Sequence, residues 1–489
     1  MQHFLRFLPS EHSWGKLLLK WGETKPSVRS KFFRKGVKEE GEIMAKSKLS
    51  LISAGIIVFT VLLLHAMERK AGAVASFSRQ TGMSCYLCHT VYPELTPFGR
   101  SFKLSGYVMS QKGKDNFPPL AAAVTVSQTE QKSLSNRIDP YDDTPDAKTN
   151  VPQTATIWYG GKIYDHIGTL TQLTYDGIGN KLFLDMTDIR YANNKALAGT
   201  NLIYGMTINN SPTVQDAWNS TPAWGFPQVS SIVAQTPAAA ALINGPLSQK
   251  VGGIGIYGFW NNLIYGELSV YRTAHKGITR PLSAGTTVNT VTDGAVPYWR
   301  LVIQKQRNEH SIAIGTFGMA ADVFPAGLTQ GLTDRFTDTA LDGQYQYIGK
   351  QHIFSLQSTF IHEKQSWDAS FSLGNTASAT DYLNTFRING NYYYRASFGT
   401  IGGSLGFFRT VGTKDSILYA PQDTIGSRTG EPDSRGYIME LDYLPWEKLK
   451  ISLQYTIYDL FNGSDTNYDG SGRNASDNNT FYLAVTMYF

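Results

Sequence analysis

Between residues 119 and 489 the sequence repeats one pattern, in which apolar and polar side chains alternate over runs of about ten residues. Turns rich in Asn, Asp, Gly and Ser separate the runs. In one run, Tyr437, Met439 and Leu441 fall on one face, and Glu440 and Asp442 fall on the other. Alternation with a period of two is typical of a β-strand between two environments, and runs of this length are typical of transmembrane β-barrels.

The last strand shows the pattern most completely. Phe481, Leu483, Val485, Met487 and Phe489 are apolar at every second position, and the final residue is aromatic. Outer-membrane barrels commonly end on such a strand. A soluble β-sandwich is the alternative, but its last strand would not need so complete a stripe.

Sixteen such runs can be marked, which predicts an all-β fold, a transmembrane antiparallel β-barrel of about 16 strands. They centre near residues 124, 158, 171, 186, 205, 255, 268, 301, 313, 343, 356, 388, 403, 440, 454 and 484. An even number places both ends of the barrel on the periplasmic side. Pro445-Trp446-Glu447 is a predicted short periplasmic turn, and the predicted longer outer loops are 129–152, 276–296, 411–433 and 461–478.

Inner-face positions and one long connection predict the contents of the lumen. The stretch 211–250 is 40 residues long and rich in Trp and Pro near its start, so we predict a packed loop folded inward as a constriction. Charged residues expected on the inner face, where they line a polar lumen or contact a plug, are Lys162, Asp185, Asp188, Arg190, Glu267, Glu440 and Asp442.

Residues 1–75 have the features of a leader. Residues 46–64 hold two lysines followed by an uncharged apolar run of 16 residues, and Ala73-Val74-Ala75 supplies small residues for a signal peptidase. The run is shorter than the roughly 20 residues of a spanning helix, and an N-terminal membrane anchor is the alternative. Met44 makes a better signal-peptide start than the first residue, so we predict export of a mature chain that begins near residue 76.

The formal charge of +5 comes from this leader. Residues 1–75 hold 13 of the 44 Lys and Arg and 6 of the 39 Asp and Glu, so the rest carries 31 basic against 33 acidic residues. The mature chain therefore gives no electrostatic support for a nucleic-acid partner. The content of 12% aromatic and 17% charged residues in the full sequence instead suits a β protein that presents aromatic groups to membrane lipid.

Both cysteines of the chain lie in one motif, Cys85-Tyr86-Leu87-Cys88-His89. C-x-x-C-H is the attachment signature of c-type haem, because two thiols at this spacing form thioethers to one porphyrin and the adjacent imidazole ligates the iron. We therefore predict one covalent haem c, attached through Cys85 and Cys88, with His89 as axial ligand. A redox disulfide would need a thioredoxin-like surround, and a zinc site would need a fourth ligand.

The sequence does not decide which residue binds the opposite face of the iron. Met109, 20 residues after His89, is the first candidate, because Met and His ligation raises the reduction potential. The alternatives are that Met109 only packs, that the position is open, or that a barrel histidine binds there, namely His166, His275, His310, His352 or His362. Candidates to pack on the porphyrin are Tyr86, Tyr92, Phe98 and Phe102, and candidates to pair with its propionates are Arg79, Arg100 and Lys103.

Residues 76–118 form the predicted haem c segment, about 43 residues that are too few to fold alone as a cytochrome domain. A barrel of about 16 strands has a lumen that is either plugged or a channel. We therefore expect this segment inside the barrel or at its periplasmic mouth, with residues 119–489 forming a multi-pass barrel in the bacterial outer membrane.

Two stretches resemble a known family, the fused monohaem cytochrome–porins of iron-oxidising bacteria. They are Ser78–Tyr107, which contains the haem motif, and Pro212–Pro227, with its Pro-Thr-Val-Gln-Asp-Ala-Trp and Thr-Pro-Ala-Trp-Gly-Phe-Pro runs. The resemblance covers the mature chain. It implies that Cys85, Cys88 and His89 carry haem in an outer-membrane cytochrome.

The same resemblance implies a function. Such a cytochrome takes electrons from extracellular Fe(II) and passes them to a periplasmic cytochrome or another soluble electron carrier, which would make it an iron(II)-oxidising protein. Two alternatives stay open: an electron conduit for another donor or acceptor, and a diffusion porin whose haem plug is structural.

Overall fold

The computed structural model describes residues 76–109, 119–132, 149–273, 290–421 and 426–489. The predicted leader at 1–75, with its start at Met44, lies outside these residues. So do parts of the predicted outer loops 129–152 and 276–296, and residues 110–118 of the predicted haem segment.

Strands make up most of the described chain. They are β1 Leu120–Gln131, β2 Thr149–Tyr164, β3 Ile167–Asp176, β4 Lys181–Leu197, β5 Thr200–Asn209, β6 Val251–Trp260, β7 Ile264–Thr273, β8 Val291–Thr292, β9 Val296–Arg307, β10 His310–Phe324, β11 Asp334–Ile348, β12 His352–Ser366, β13 Thr380–Ala396, β14 Gly399–Gly412, β15 Ser434–Trp446, β16 Leu449–Leu460 and β17 Thr480–Tyr488. Strand β8 has two residues and extends the wall beside β9. Each of the sixteen predicted strand centres falls within one of the sixteen long strands.

The strands close into one antiparallel barrel. Each long strand pairs with its neighbour along the chain, and β1 pairs with β17 to complete the ring. At the closure Val126 lies opposite Val485, and Phe489 donates its backbone N–H to Ala122 O at 2.7 Å. Because a closed barrel leaves no unpaired strand edge, its backbone polar groups are satisfied within the wall, as a lipid environment requires.

The two faces of the wall differ in polarity. Outward side chains are apolar, and Ile256, Leu268 and Ile303 are each about 60% exposed. Inward neighbours such as Glu267 and Ser269 are buried and polar. The chain is therefore a multi-pass outer-membrane β-barrel, and the predicted fold is confirmed.

The two ends of the barrel also differ. Seven turns of two or three residues join strands at one end, and the turn between β15 and β16, at Glu447 and Lys448, is the one predicted at 445–447. The long connections, including 413–433 and 461–479, lie at the other end. Short turns are typical of the periplasmic side and long loops of the outer side.

Helices are few and short. The N-terminal segment contains α1 (Ser76–Thr81), α2 (Cys85–Cys88) and α3 (Pro97–Leu104), and α4 (Asp368–Ser372) follows β12. None of the helices in the described ranges is long and apolar enough to cross a membrane.

The N-terminal segment lies in the lumen and reaches up from the short-turn end. Leu104 is fully buried in a cluster with Trp218 of the 211–250 loop and with Tyr257 and Tyr265 of the wall. Val91 packs with Ile353 and other wall residues in a second cluster. The wall and the loop thus supply the hydrophobic core that so short a segment lacks. That this segment is a haem c plug stays a prediction.

The 211–250 loop folds inward, as predicted. Its residues Ser211–Thr221 are buried, and a 3-10 helix follows at Pro222–Trp224. Asp216 of the loop pairs with Arg300 of β9 at 3.1 Å, and Arg300 also pairs with Asp342 of β11 at 2.8 Å. This buried triad fixes the loop to the inner wall.

Candidate haem site at the short-turn end

The two cysteines lie on a single helical turn. Ser84 caps α2, since its Oγ accepts from the N–H of Tyr86 at 3.3 Å, and His89 N–H donates to Cys85 O at 2.9 Å. Residues three apart on a helix share a face, so Cys85 and Cys88 are presented together. Neither is in a disulfide, and both are partly exposed.

The barrel wall holds this helix from two turns. Ser84 Oγ donates to Glu447 Oε1 at 2.6 Å, and Cys85 N–H donates to Glu447 Oε2 at 3.3 Å. The hydroxyls of Tyr86 and Thr400 are 3.2 Å apart. The motif therefore sits at the mouth between the β13–β14 and β15–β16 turns, where the short connections leave it open to the periplasm.

Helix α3 supports the motif from inside the barrel. Thr96 N–H donates to Cys88 O at 2.9 Å, and Thr96 Oγ1 donates to Leu87 O at 2.6 Å. A Cβ at Gly99 would collide with the carbonyl oxygen of Cys88, so only glycine allows this approach. The backbone of α2 is thus locked to the buried helix behind it.

His89 leaves α2 in an extended conformation and packs beside Tyr92, with ring centroids 5.3 Å apart. Its Nδ1 is buried and makes no hydrogen bond of ordinary geometry. Burial lowers the pKa of His89 to about 4, and the carbonyls of Pro93 and Glu94 oppose the shift only in part. The imidazole is neutral at physiological pH, which is the form that binds a metal.

The pKa of the Cys88 thiol is shifted in the opposite direction from the pKa of a redox-active cysteine. Burial raises its pKa to about 11. Thiols of redox C-x-x-C motifs have lowered pKa values, so the disulfide alternative is disfavoured. Among the described residues no group of three or more His, Cys, Asp and Glu is arranged to hold a metal ion.

Apolar and cationic groups near the motif would fit a porphyrin. Leu87 is 44% and Tyr92 is 40% exposed at the mouth. The guanidinium of Arg395 lies 4.4 Å from the Tyr86 ring, and its Nε and Nη2 are buried without hydrogen-bond partners. The flat apolar ring of a porphyrin would cover Leu87 and Tyr92, and one of its carboxylate substituents would pair with the Arg395 guanidinium.

Arg395 was missed by the sequence reasoning, which proposed Arg79, Arg100 and Lys103 as propionate partners. Buried Arg100 instead hydrogen-bonds to Gln344 and Ser311 of the wall, and Lys103 donates to carbonyls of the inward loop. Arg395 lies some 300 residues beyond the motif. The alternation of β13 could have found it, because residue 395 is the last inward position before the two-residue turn between β13 and β14.

The candidate aromatic residues divide between the mouth of the barrel and the interior of the plug. Tyr86 and Tyr92 lie at the mouth beside the motif. Phe102 packs deeper, against Phe77 at 5.0 Å and Tyr107 at 6.1 Å. It stabilises the plug rather than the mouth.

Three of the candidate barrel histidines face outward and bond to neighbours on the outer face: His310 to Tyr345, His352 to Tyr392 and His362 to Asn384, each at 2.8 Å. Strand alternation thus points these three side chains away from the lumen, which corrects them as distal-ligand candidates. His166 is an exposed residue of the β2–β3 turn, and His275 lies outside the described residues, so neither candidate is tested.

Met109 ends the described part of the N-terminal segment and is 37% exposed. It follows the turn at residues 105–107, where Gly106 packs on Ala192 of β4 and the Tyr107 hydroxyl donates to Asp188 at 2.7 Å. Its role as the distal ligand stays a prediction.

The predicted inner-face charges are mostly structural. Asp188 receives the Tyr107 hydroxyl and pairs with Arg190 at 2.8 Å, so it contacts the plug. Other predicted inner-face carboxylates bind groups of the inward loop or the wall. Asp185 accepts a hydrogen bond from Gln249, and Glu267 accepts one from Gln215. Glu440 and Asp442 both form ion pairs with Lys450. Lys162 pairs with Asp165 near the β2–β3 turn and is exposed.

A junction between plug and inward loop lies above the haem motif. Lys103 Nζ donates to Val214 O at 2.8 Å and to Asp216 O at 2.7 Å. Asn219 Oδ1 accepts from the N–H of Leu95 at 2.9 Å. Burial lowers the pKa of Lys103 to about 7, although the nearby carboxylate of Asp188 opposes the shift.

No protein-family model and no curated protein matches the chain. Among solved structures, it is similar to the DcaP outer-membrane channel of Acinetobacter baumannii, with 9% identity, 76% of this chain and 96% of that chain covered, and a TM-score of 0.43. It is also similar to the trimer form of OmpT of Vibrio cholerae (9% identity, 76% and 98% covered, TM-score 0.41) and to OmpF of Salmonella typhi (12%, 76% and 97%, TM-score 0.38).

Proposed function

We propose that this outer-membrane barrel is an electron-transfer cytochrome with one haem c at its periplasmic mouth. The observation that carries the proposal is the meeting of four prepared groups there. Cys85 and Cys88 share one helical turn, the buried Nδ1 of His89 makes no hydrogen bond of ordinary geometry, and two guanidinium nitrogens of Arg395 are buried without hydrogen-bond partners. Each group matches one part of haem c: the two attachment points, the iron and a propionate.

Bound haem c supplies a one-electron ferric–ferrous couple. The chain's own residues do the rest. Cys85 and Cys88 fix the group to α2, and Glu447 and Thr96 hold α2 in place. Tyr86 and Tyr92 exclude water from the mouth side, which tunes the potential through burial. No general acid, base or nucleophile is needed for outer-sphere transfer.

The position of the motif supports one of the two proposed electron partners more directly than the other. A soluble periplasmic cytochrome or another small carrier can dock at the short-turn end, next to the haem site. Extracellular Fe(II), the donor that the family resemblance implies, starts at the other end of a hydrocarbon band about 25 Å tall. Fe(II) would therefore enter the lumen to give its electron, leaving as Fe(III).

One spectrum and one kinetic experiment test this function. The purified protein should give a reduced-minus-oxidised spectrum of a c-type cytochrome, and its ferric form should be reduced on stopped-flow mixing with Fe(II). A c-type spectrum without reduction by Fe(II) would eliminate iron as the donor and leave a conduit for another donor. Absence of covalent haem from protein made with a functioning cytochrome c maturation system would overturn the cytochrome proposal.

A diffusion porin with a structural haem plug is the second candidate, and the closed barrel with a polar lumen favours it. The plug and the inward loop oppose it, because both are hydrogen-bonded to the wall inside the lumen. Liposome swelling with small sugars separates the two. Fast uptake would favour the porin, and uptake no faster than in empty liposomes would favour the conduit.

A further inference from the structure

Two buried carboxyl groups of the inner wall face each other near the outer end of the lumen. Asp338 of β11 and Glu363 of β12 lie directly opposite in the antiparallel pair, each a few residues from a connection of the outer end. Asp338 is 1% exposed, and Glu363 is fully buried. The two side chains are in hydrogen-bond contact with each other. They therefore form one carboxyl pair that is shielded from water.

The tip of the inward loop rests on this pair. The backbone N–H of Leu242 donates to Glu363 Oε2 at 2.5 Å, and that of Ile243 donates to Asp338 Oδ2 at 3.2 Å. Leu242 and Ile243 are themselves buried in a hydrophobic cluster that includes Phe317 of the wall. The carboxyl pair is thus the place where the wall accepts the backbone of the loop tip.

Three of the four carboxyl oxygens of the pair have an N–H donor. Glu363 Oε1 accepts from Gln365 Nε2 at 2.6 Å, and the loop supplies the donors for Glu363 Oε2 and Asp338 Oδ2. Asp338 Oδ1 is buried without a donor. Two ionised carboxylates in contact and out of water repel each other, so such pairs hold one proton between them. A proton on one carboxyl group would donate to the other and supply the missing hydrogen bond.

No basic side chain neutralises the pair. The ion pairs of the described residues include neither carboxyl group. Residues 228–249 of the loop contain no ionisable group, and His362 lies on the outward face of β12. Arg387 lies opposite Thr359, which is four residues or about 13 Å along β12 from Glu363. The ionisable groups on the inner side of the elements around the pair are Asp334, Asp342, Asp381, Arg387, Asp415 and Tyr419.

We propose that Asp338 and Glu363 share one proton, and that this proton latches the tip of the inward loop to the wall. With the proton in place, the pair carries one negative charge and accepts the N–H groups of Leu242 and Ile243. Loss of the proton leaves two like charges in contact, which favours separation of the side chains and entry of water. Because the loop folds into the lumen, release of its tip at alkaline pH would widen the passage near the outer end. The latch involves neither haem nor Fe(II), so it is separate from the proposed electron transfer.

Infrared spectroscopy of the purified full-length protein, in a detergent without carbonyl groups, tests for the shared proton. A protonated carboxyl group has a C=O stretching band that is separate from the amide and carboxylate bands. At pH 7 this band should be weaker by one carboxyl group in Glu363→Gln than in the wild-type protein, because the Gln amide donates to Asp338 without a titrating proton. Glu130→Gln, at an exposed residue of β1, is the control and should leave the band unchanged.

Amide hydrogen exchange tests the latch, with rates corrected for the intrinsic effect of pH. In the wild-type protein, protection of residues 241–247 should fall at least about tenfold over the pH range in which the infrared band disappears. The amides of Ser220 and Thr221, which donate to Asp216 in the ion pair with Arg300, should keep their protection. Glu363→Gln should keep the protection of 241–247 at every pH.

The shift between folded and unfolded barrel bands on unheated gels checks that each variant is folded. Equal infrared bands in the wild-type protein and in folded Glu363→Gln would overturn the shared proton. A band that titrates while the protection of 241–247 stays constant would overturn the latch. A band still present at pH 10 would overturn its release by alkaline pH.

Discussion

The two halves of the N-terminal segment lie in different environments of the same barrel, one at its mouth and one enclosed in its lumen. From Ser84 to Tyr92 the segment lies at the open mouth, with exposed apolar groups and a buried imidazole nitrogen that has no partner. From Arg100 to Tyr107 it is enclosed, and its charged groups bond to the wall and the inward loop. The difference indicates that the deep half anchors the segment and the mouth half is prepared for a ligand.

The largest expected effect comes from a substitution that prevents covalent attachment of the haem. Cys88→Ala should lose nearly all covalently bound haem, because one of the two thioether bonds cannot form. Haem staining of a denaturing gel, at equal protein loading, measures this.

Phe398→Ala, at an exposed residue of the β13–β14 turn, is the control, since it changes the same end of the barrel without removing a thiol. It should stain like the wild-type protein. Normal staining of Cys88→Ala would refute the attachment role of this residue.

The next effect tests the anchored half. Arg300→Met leaves the buried carboxylates of Asp216 and Asp342 without their cation, and breaking such a pair typically destabilises a protein by about 3–5 kcal/mol. Urea unfolding of the barrel in detergent, followed by tryptophan fluorescence, measures the loss.

Arg335→Met is the control, because the Arg335–Asp322 pair is 3.4 Å apart and exposed. It should change stability little. If Arg300→Met were as stable as the control, the triad would not be what fixes the inward loop.

The junction of plug and loop should depend on pH through Lys103. Its pKa is lowered from 10.5 to about 7, so between these values the unfolded chain binds a proton that the folded chain does not. Stability should therefore rise with pH between 7 and 10.5, by up to a few kcal/mol, and be lowest below pH 7.

Lys103→Met should abolish that part of the pH dependence, and Lys350→Met, at an exposed turn, should retain it. Urea unfolding at a series of pH values gives the comparison. An identical slope in the Lys103→Met and wild-type proteins would contradict the assignment.

The smallest expected effect tests whether Arg395, at the mouth, interacts with the haem. Arg395→Gln should retain haem but lower its reduction potential, because loss of a nearby cation disfavours the added electron. Coulomb's law at an effective dielectric constant near 20 gives a shift on the order of tens of millivolts. Spectroelectrochemical titration measures it.

Arg307→Gln, at an exposed residue of the same barrel end, is the control and should leave the potential unchanged. A potential in Arg395→Gln equal to that of the wild-type protein would separate Arg395 from the haem site.

Most of the barrel could be predicted from the sequence. Alternation along each strand is a local property, and it gave all sixteen long strands and the face that meets lipid. The inner partners could not be predicted, because they join residues far apart in the chain. Lys103 meets the loop carbonyl of Asp216, and Tyr86 meets Arg395, only through the register and closure of the wall.

The sequence by itself determined the barrel and predicts haem attachment at Cys85, Cys88 and His89, since both depend on spacing between neighbouring residues. The tertiary structure decided where that chemistry sits. It placed the motif at the short-turn end, bonded Arg100 and Lys103 to the wall and the inward loop, and turned three histidines outward. It also placed Arg395 beside Tyr86, with two guanidinium nitrogens that lack hydrogen-bond partners. These outcomes depend on which strands face each other across a closed lumen, and no local pattern contains that information.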